Sequence, residues 1–155
     1  MSTRMKLDGY CFDDLVVGQV FKGPGRTLSE TDLVMFSMVT GDWDPMHADE
    51  VYARSTPIGG RMYHGSFGIS LALAMSANIL RLRNRVVAAL GIREWVFRAP
   101  LMVSDTVFLE MEILEKRVVS GGARAIVSRR LRLKKEDGGT AQEGIADLMI
   151  ELGDF

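Results

Sequence analysis

Downstream of residue 90 the chain alternates between apolar and polar positions with a period of two. Trp95 and Phe97 share one phase, with Val96 and Arg98 on the other, until Pro100 ends the run. Residues 106 to 116 set Val107, Leu109, Met111 and Ile113 on one face and Glu110 and Glu112 on the opposite one. Residues 123 to 135 oppose Ala125, Val127, Leu131 and Leu133 to Arg124, Arg130, Arg132 and Lys134. Residues 145 to 152 bring Ala146, Leu148, Ile150 and Leu152 into phase. This alternation marks half-buried antiparallel strands, and Gly121-Gly122 and Gly138-Gly139 supply the hairpin turns. The stretch SFGISLALAMSANIL is different. Phe67, Ile69, Leu71, Leu73, Met75 and Ile79 leave no polar side, and Gly68, Ala72, Ala74 and Ala77 lie between them. A helix apolar all round belongs inside a domain, and its small residues let a sheet come close. Arg81, Arg83 and Arg85 mark its exposed C-terminal exit, where cations suit the helix dipole. The pattern predicts an α+β chain, a curved antiparallel sheet wrapped around one long buried central helix, in a single domain over residues 1–155.

Upstream, Val20 and Phe21 predict one short strand that the Gly-Pro-Gly at 23–25 ends in a turn. Ser29 suits an N-cap, with Glu30 in the first turn and Asp32 three residues after the cap. Leu33, Val34, Phe36 and Met38 then give a short amphipathic helix that stops at Gly41. Val51 and Tyr52 start a second short helix or turn, which Pro57 and Gly59-Gly60 break. Composition narrows the class. With 155 residues, 47% of them hydrophobic, the chain has enough apolar material for one continuous core. A formal net charge of −1 argues against general nucleic-acid or membrane-surface binding. The longest apolar run, near residues 66 to 80, is too short and too interrupted to span a bilayer. The lone Cys11 excludes an internal disulfide framework and suits a reducing, cytoplasmic setting. The opening MSTRMKLDGY lacks the apolar core of a signal peptide.

The chemistry concentrates in Thr40–His47, TGDWDPMH. Asp42 stands five residues before His47, in a loop that Gly41 and Pro45 punctuate. Such a pair can aim a carboxylate and an imidazole at one water. The same residues also suit a helix-ending turn whose Asp side chains bond locally and whose His is merely packed. Local chemistry leaves both readings open. Metal-ligand spacing is not evident, since the chain has two His and one Cys.

Two blocks taken together resemble the MaoC-like (R)-specific enoyl-CoA hydratases, a branch of the hot-dog superfamily. The first block is carried by Phe36, Thr40, Gly41, Asp42, Pro45, Met46, His47 and Ala53. The second is Met62, Tyr63, His64 and Gly65 at the head of the central helix. The stretch 93–105 adds Phe97, Pro100 and Asp105. The resemblance covers nearly the whole chain and implies the hot-dog fold. It also implies reversible addition of water to a trans-2-enoyl thioester of coenzyme A or acyl carrier protein, with no cofactor. In that chemistry Asp42 and His47 are the catalytic pair. The Gly65 N–H, at the positive end of the helix, faces the thioester carbonyl. Ser66 either adds a hydroxyl to that carbonyl site or caps the helix, and His64 makes a structural hydrogen bond. The implied active unit is a homodimer or a larger assembly of dimers, with each site lined by both subunits. Two other functions fit the same fold: an acyl-CoA thioesterase, and an acyl-thioester-binding module without turnover.

Two positions depart from the family pattern. Asp44 replaces the usual Asn, which puts a second carboxylate beside Asp42 and removes an amide donor. Either its side chain turns outward, or the chemistry is altered or lost. Ser104 replaces a Gly in a strand-end turn, a change expected to matter little. For the phosphates of coenzyme A, the face of Arg124, Arg130, Arg132 and Lys134 competes with Arg81, Arg83 and Arg85. The former face can instead pair with Glu110 and Glu112.

Overall fold

A computed structural model describes Lys6 and residues 8–153. After a single 3-10 turn at Phe12–Asp14 come β1 (Val20–Lys22), β2 (Arg26–Thr27), α1 (Glu30–Thr40), α2 (Pro45–Ala48) and α3 (Glu50–Ser55). The long α4 (Gly65–Leu80) follows, then β3 (Val86–Phe97), β4 (Thr106–Val118), β5 (Arg124–Lys135) and β6 (Thr140–Glu151). One antiparallel sheet runs in the order β1-β4-β5-β6-β3, with β2 also on β4. The apolar phases are those of the sequence. Val107, Leu109, Met111 and Ile113 of β4 are fully buried, as are Ala125, Val127, Leu131 and Leu133 of β5. They form one core with Leu71, Ala72, Met75 and Ile79 of α4.

Helix and sheet lie close where the side chains are smallest. A Cβ on Gly68 would come within 2.3–2.4 Å of the Gln142 side chain on β6. One on Gly144 would meet Trp95 of β3 at 2.3 Å, while the Trp95 indole donates to Gln142 Oε1 at 3.1 Å. Glycine at 68 therefore sets how deeply α4 sits in the sheet.

Several elements differ from the expectation. The strand seen only around Trp95 and Phe97 begins at Val86, and three register shifts against β6 break its alternation. Strand β3 lies at the far edge of the sheet beside β6. Tight glycine turns join β4, β5 and β6. The link from β3 to β4 carries Pro100 and is tied instead to the head of α4, through Tyr63 N–H to Leu101 O at 2.8 Å and a Met62–Met102 bridge. Strand β6 starts at Thr140, earlier than its apolar phase shows, and the two-residue β2 has no apolar signature. In the single chain α4 is not enclosed all round, since Ser66, Ser70, Ala74 and Ala77 face outward. The edge strand exposes Val86, Leu90, Ile92, Val96 and Phe97. Among the described residues no helix is long and apolar enough to cross a membrane.

Candidate active site

The site is assembled by three helix ends. Helix α1 starts in a reciprocal capping box. Ser29 Oγ accepts from Asp32 N–H at 3.2 Å, and Asp32 Oδ2 accepts from Ser29 N–H at 3.0 Å. The helix ends on Gly41, left-handed at φ 73°, so the chain turns sharply and delivers Asp42. Thr40 Oγ1 accepts from Asp42 N–H at 3.3 Å, and Asp42 Oδ1 accepts from Asp44 N–H at 3.2 Å. Asp44 then caps the single-turn α2, its Oδ1 accepting from Met46 N–H at 2.9 Å, with Pro45 at the first helical position. The loop reading thus missed one helical turn, for which the Asp-Pro pair was the available signal. The same capping turn sets the placement of Asp44. Its carboxylate is engaged by the helix start and exposed to solvent, a task that Asn performs equally well.

On α2, His47 projects inward and its Nδ1 lies 2.7 Å from Met62 O. A carbonyl only accepts, so Nδ1 carries the proton and, in the neutral ring, Nε2 presents its lone pair. That Nε2 is 4.0 Å from Asp42 Oδ2. His64, immediately before α4, is buried, and its ring stacks on His47 with centroids 3.7 Å apart at 27°. Its Nε2 donates to the main-chain O of Asp42 at 3.0 Å, the kind of structural hydrogen bond expected of it, and lies 3.7 Å from Asp42 Oδ2. Phe36 of α1 packs against the same ring at 5.2 Å. The Asp42 side chain remains about half exposed, while the imidazoles form a wall behind it.

The fold therefore gathers Asp42, His47 and His64 with potential ligand atoms within 4.8 Å of one another, a grouping that sequence spacing did not suggest. Its geometry is poor for a metal. Ligand lone pairs lie in the ring planes, and two rings stacked at 27° send them nearly parallel, not toward one point. His64 Nε2 is also already committed to a carbonyl.

Gly65 is the first residue of α4, so its N–H is among those a helix start leaves without an intrahelical acceptor. A Cβ at Gly65 would sit 2.9 Å from the Phe97 ring. Beside it a cavity of about 310 Å3 is lined by Ile58, Met62, Tyr63, Gly65, Phe97 and Leu101, among others. Ser66 is exposed at the second helical position. His64 occupies the N-cap, so capping is not the role of Ser66. Tyr63 donates through its hydroxyl to Ser29 O, and burial, followed by the charges of Asp32 and Glu30, holds that phenol well above its usual range. The Thr40–His47 loop thus packs on the helix head of its own chain, through His47 to Met62 O and His64 to Asp42 O. Sharing between subunits, the sequence expectation, is not needed to bring Asp42 and His47 to Gly65.

The basic faces are largely paired. Arg132 reaches Glu110 at 3.2 Å, Glu112 at 3.4 Å and Glu143 at 3.4 Å, and Arg130 reaches Glu112 at 3.7 Å. At the exit of α4, Arg83 meets Asp14 at 3.4 Å and Arg85 meets Glu151 at 3.8 Å.

Comparison with known proteins agrees with this architecture. Over 106 residues, 67% of this chain, it is 33% identical to a 3-hydroxybutyryl-CoA dehydratase of Methylorubrum extorquens, and the match spans 64% of that protein's own length. The structure superposes on an R-hydratase from Pseudomonas aeruginosa, in its unliganded form, with a TM-score of 0.74 at 28% identity, covering 92% of this chain and 91% of the other. A Mycobacterium tuberculosis protein described as a double hot-dog fold matches with a TM-score of 0.83 at 24% identity, over 96% of this chain and 46% of that one. The fold is a hot-dog. The MaoC-like domain model matches residues 14–131, and the chain is a member of the MaoC-like domain family.

Proposed function

We propose that this chain is a hydro-lyase that reversibly adds water across a trans-2-enoyl thioester, giving the (R)-3-hydroxyacyl thioester. The observation that carries this reading is the Asp42–His47 pair, 4.0 Å apart at the head of α4. A water about 2.8 Å from both Asp42 Oδ2 and His47 Nε2 fits that separation. One of its hydrogens is taken by this pair while its oxygen bonds to C3. The C2–C3 π electrons move to C2 and the thioester carbonyl, giving an enolate. The Gly65 N–H and the positive end of α4 stabilise that developing oxygen charge. Return of the proton to C2 completes the addition with atoms balanced. The Met62 carbonyl fixes the His47 tautomer, and the stacked His64 fixes its ring orientation. The cavity beside Gly65 and Phe97 is where we place the thioester.

Coenzyme A or acyl carrier protein thioesters are the substrates this chemistry requires, and the names of the dehydratase and R-hydratase relatives support it. We place the working unit as a homodimer joined through the exposed β3 edge, since long apolar edges are ordinarily paired or covered. A crotonyl-CoA hydration assay run beside a free-thiol assay tests the reading. Loss of the conjugated double bond without thiol release supports it. Thiol release makes the chain a thioesterase, and binding without either reaction makes it a carrier of the thioester.

A further inference from the structure

Arg129 stands in the apolar phase of β5, between Val127 and Leu131, and pairs in register with Ala146 of β6. It is 5% exposed. Among the described residues its one hydrogen bond is from Nη1 to Ser76 Oγ on α4, at 3.1 Å. Its Nε is buried and has no partner among the described residues. Asp147 is the carboxylate that acts on it electrostatically. That residue pairs with Ser128, in the opposite phase of the sheet, and is held by Arg93 at 3.3 Å. Burial pushes the guanidinium down to about 10, with Asp147 acting the other way, so it stays charged at neutral pH. The charge faces a second cavity, of about 240 Å3, whose other walls include Leu73, Ala77, Leu80, Val86 and Leu148. This cavity lies toward the C-terminal end of α4, away from Gly65.

A cation that is 5% exposed in an apolar wall, with its Nε buried and without a hydrogen-bond partner among the described residues, is costly unless a counter-charge joins it. We infer that this cavity is a subsite for the carboxylate of a short aliphatic acid, with Arg129 and Ser76 as its polar floor and the leucines and valine around its chain. The carboxylate arrives either on a free acid or at the far end of an acyl group carried as a thioester, and in the latter case the inference rests on the function proposed above.

Calorimetric titration of the full chain with two pairs of probes tests it. One pair is octanoate and octanol. The other is octanoyl-CoA and its counterpart bearing a carboxylate in place of the terminal methyl. None of these has a C2–C3 double bond, so binding is read independently of hydration, and a chain that fails to hydrate crotonyl-CoA still gives an answer here. Charge-assisted hydrogen bonds predict that the wild type prefers the carboxylate-bearing member of at least one pair by roughly tenfold. Discrimination in the first pair alone assigns the site to free acids, and in the second to acyl groups. Arg129→Met levels the preference, and Arg129→Gln serves if the methionine variant does not fold. A wild type that discriminates in neither pair, or a folded variant that keeps the preference, overturns the inference.

Discussion

His47 has one protonated nitrogen committed to Met62 O and one free nitrogen facing Asp42. Removing either member of this pair should therefore stop proton transfer while leaving the core untouched. Asp42→Asn and His47→Ala are expected to lower hydration by about 10²- to 10⁴-fold with unchanged thermal unfolding, measured by turnover and by circular dichroism. Asp44 predicts the opposite. Because its carboxylate caps α2, Asp44→Asn should leave turnover within about twofold and stability within about 0.5 kcal/mol, since the two residues cap alike; a loss above tenfold would give Asp44 a chemical role. Ser104 adopts φ 73°, a conformation glycine enters freely and other residues enter at a cost of about 1–2 kcal/mol. Its replacement of glycine therefore does matter to stability. Ser104→Gly should raise the unfolding free energy by about 1 kcal/mol in a denaturant titration, and an unchanged midpoint would contradict this.

At the scale of elements, strict alternation made β4 and β5 legible almost to their ends, and the Ser29/Asp32 pair with Gly41 made α1 legible. What stayed hidden was carried by geometry, not periodicity. Strand β3 is bulged at three places, so its apolar residues do not alternate, and α2 is one turn whose signal is a capping Asp before Pro. In the site, spacing drew attention to Asp42 and His47 but left a packed turn open, and it was the resemblance to the MaoC-like blocks that singled out the pair and Gly65. The stacking of His64 on His47 joins positions far apart in sequence, and Arg129 was masked by the apolar stripe around it. The contact of α4 with the sheet yields a direct test. Gly68→Ala forces a Cβ into the Gln142 side chain, and overpacking of this kind typically costs about 1–3 kcal/mol. Acid lability should concentrate near the site as well. Hydrogen bonding to Arg61, then to Arg54, holds the Glu50 carboxyl below its usual range, and that to Arg98 does the same for Glu143. A depressed carboxylate contributes stability above its unfolded-state value of 4.5 and loses it as pH falls through the lower folded value. Unfolding midpoints should therefore drop as pH is taken below about 4.5, less so in Glu143→Gln.

For the whole molecule, the exposed β3 edge predicts a dimer in sedimentation, and Leu90→Lys on that edge should shift it toward monomer. Since the Thr40–His47 loop packs on the helix head of its own chain, mixing Asp42→Asn subunits with Gly65→Pro subunits should restore no activity; recovery of about one site per mixed dimer would show that sites are shared across the interface. The account rests most heavily on hydration by the Asp42–His47 pair. The decisive measurement is turnover of crotonyl-CoA by the wild type, Asp42→Asn and His47→Ala, each shown to be folded, with the product resolved by configuration. The account predicts (R)-3-hydroxybutyryl-CoA from the wild type, and at least a hundredfold loss in both variants. Undiminished hydration by either folded variant, or a wild type that hydrates no enoyl thioester, would contradict it.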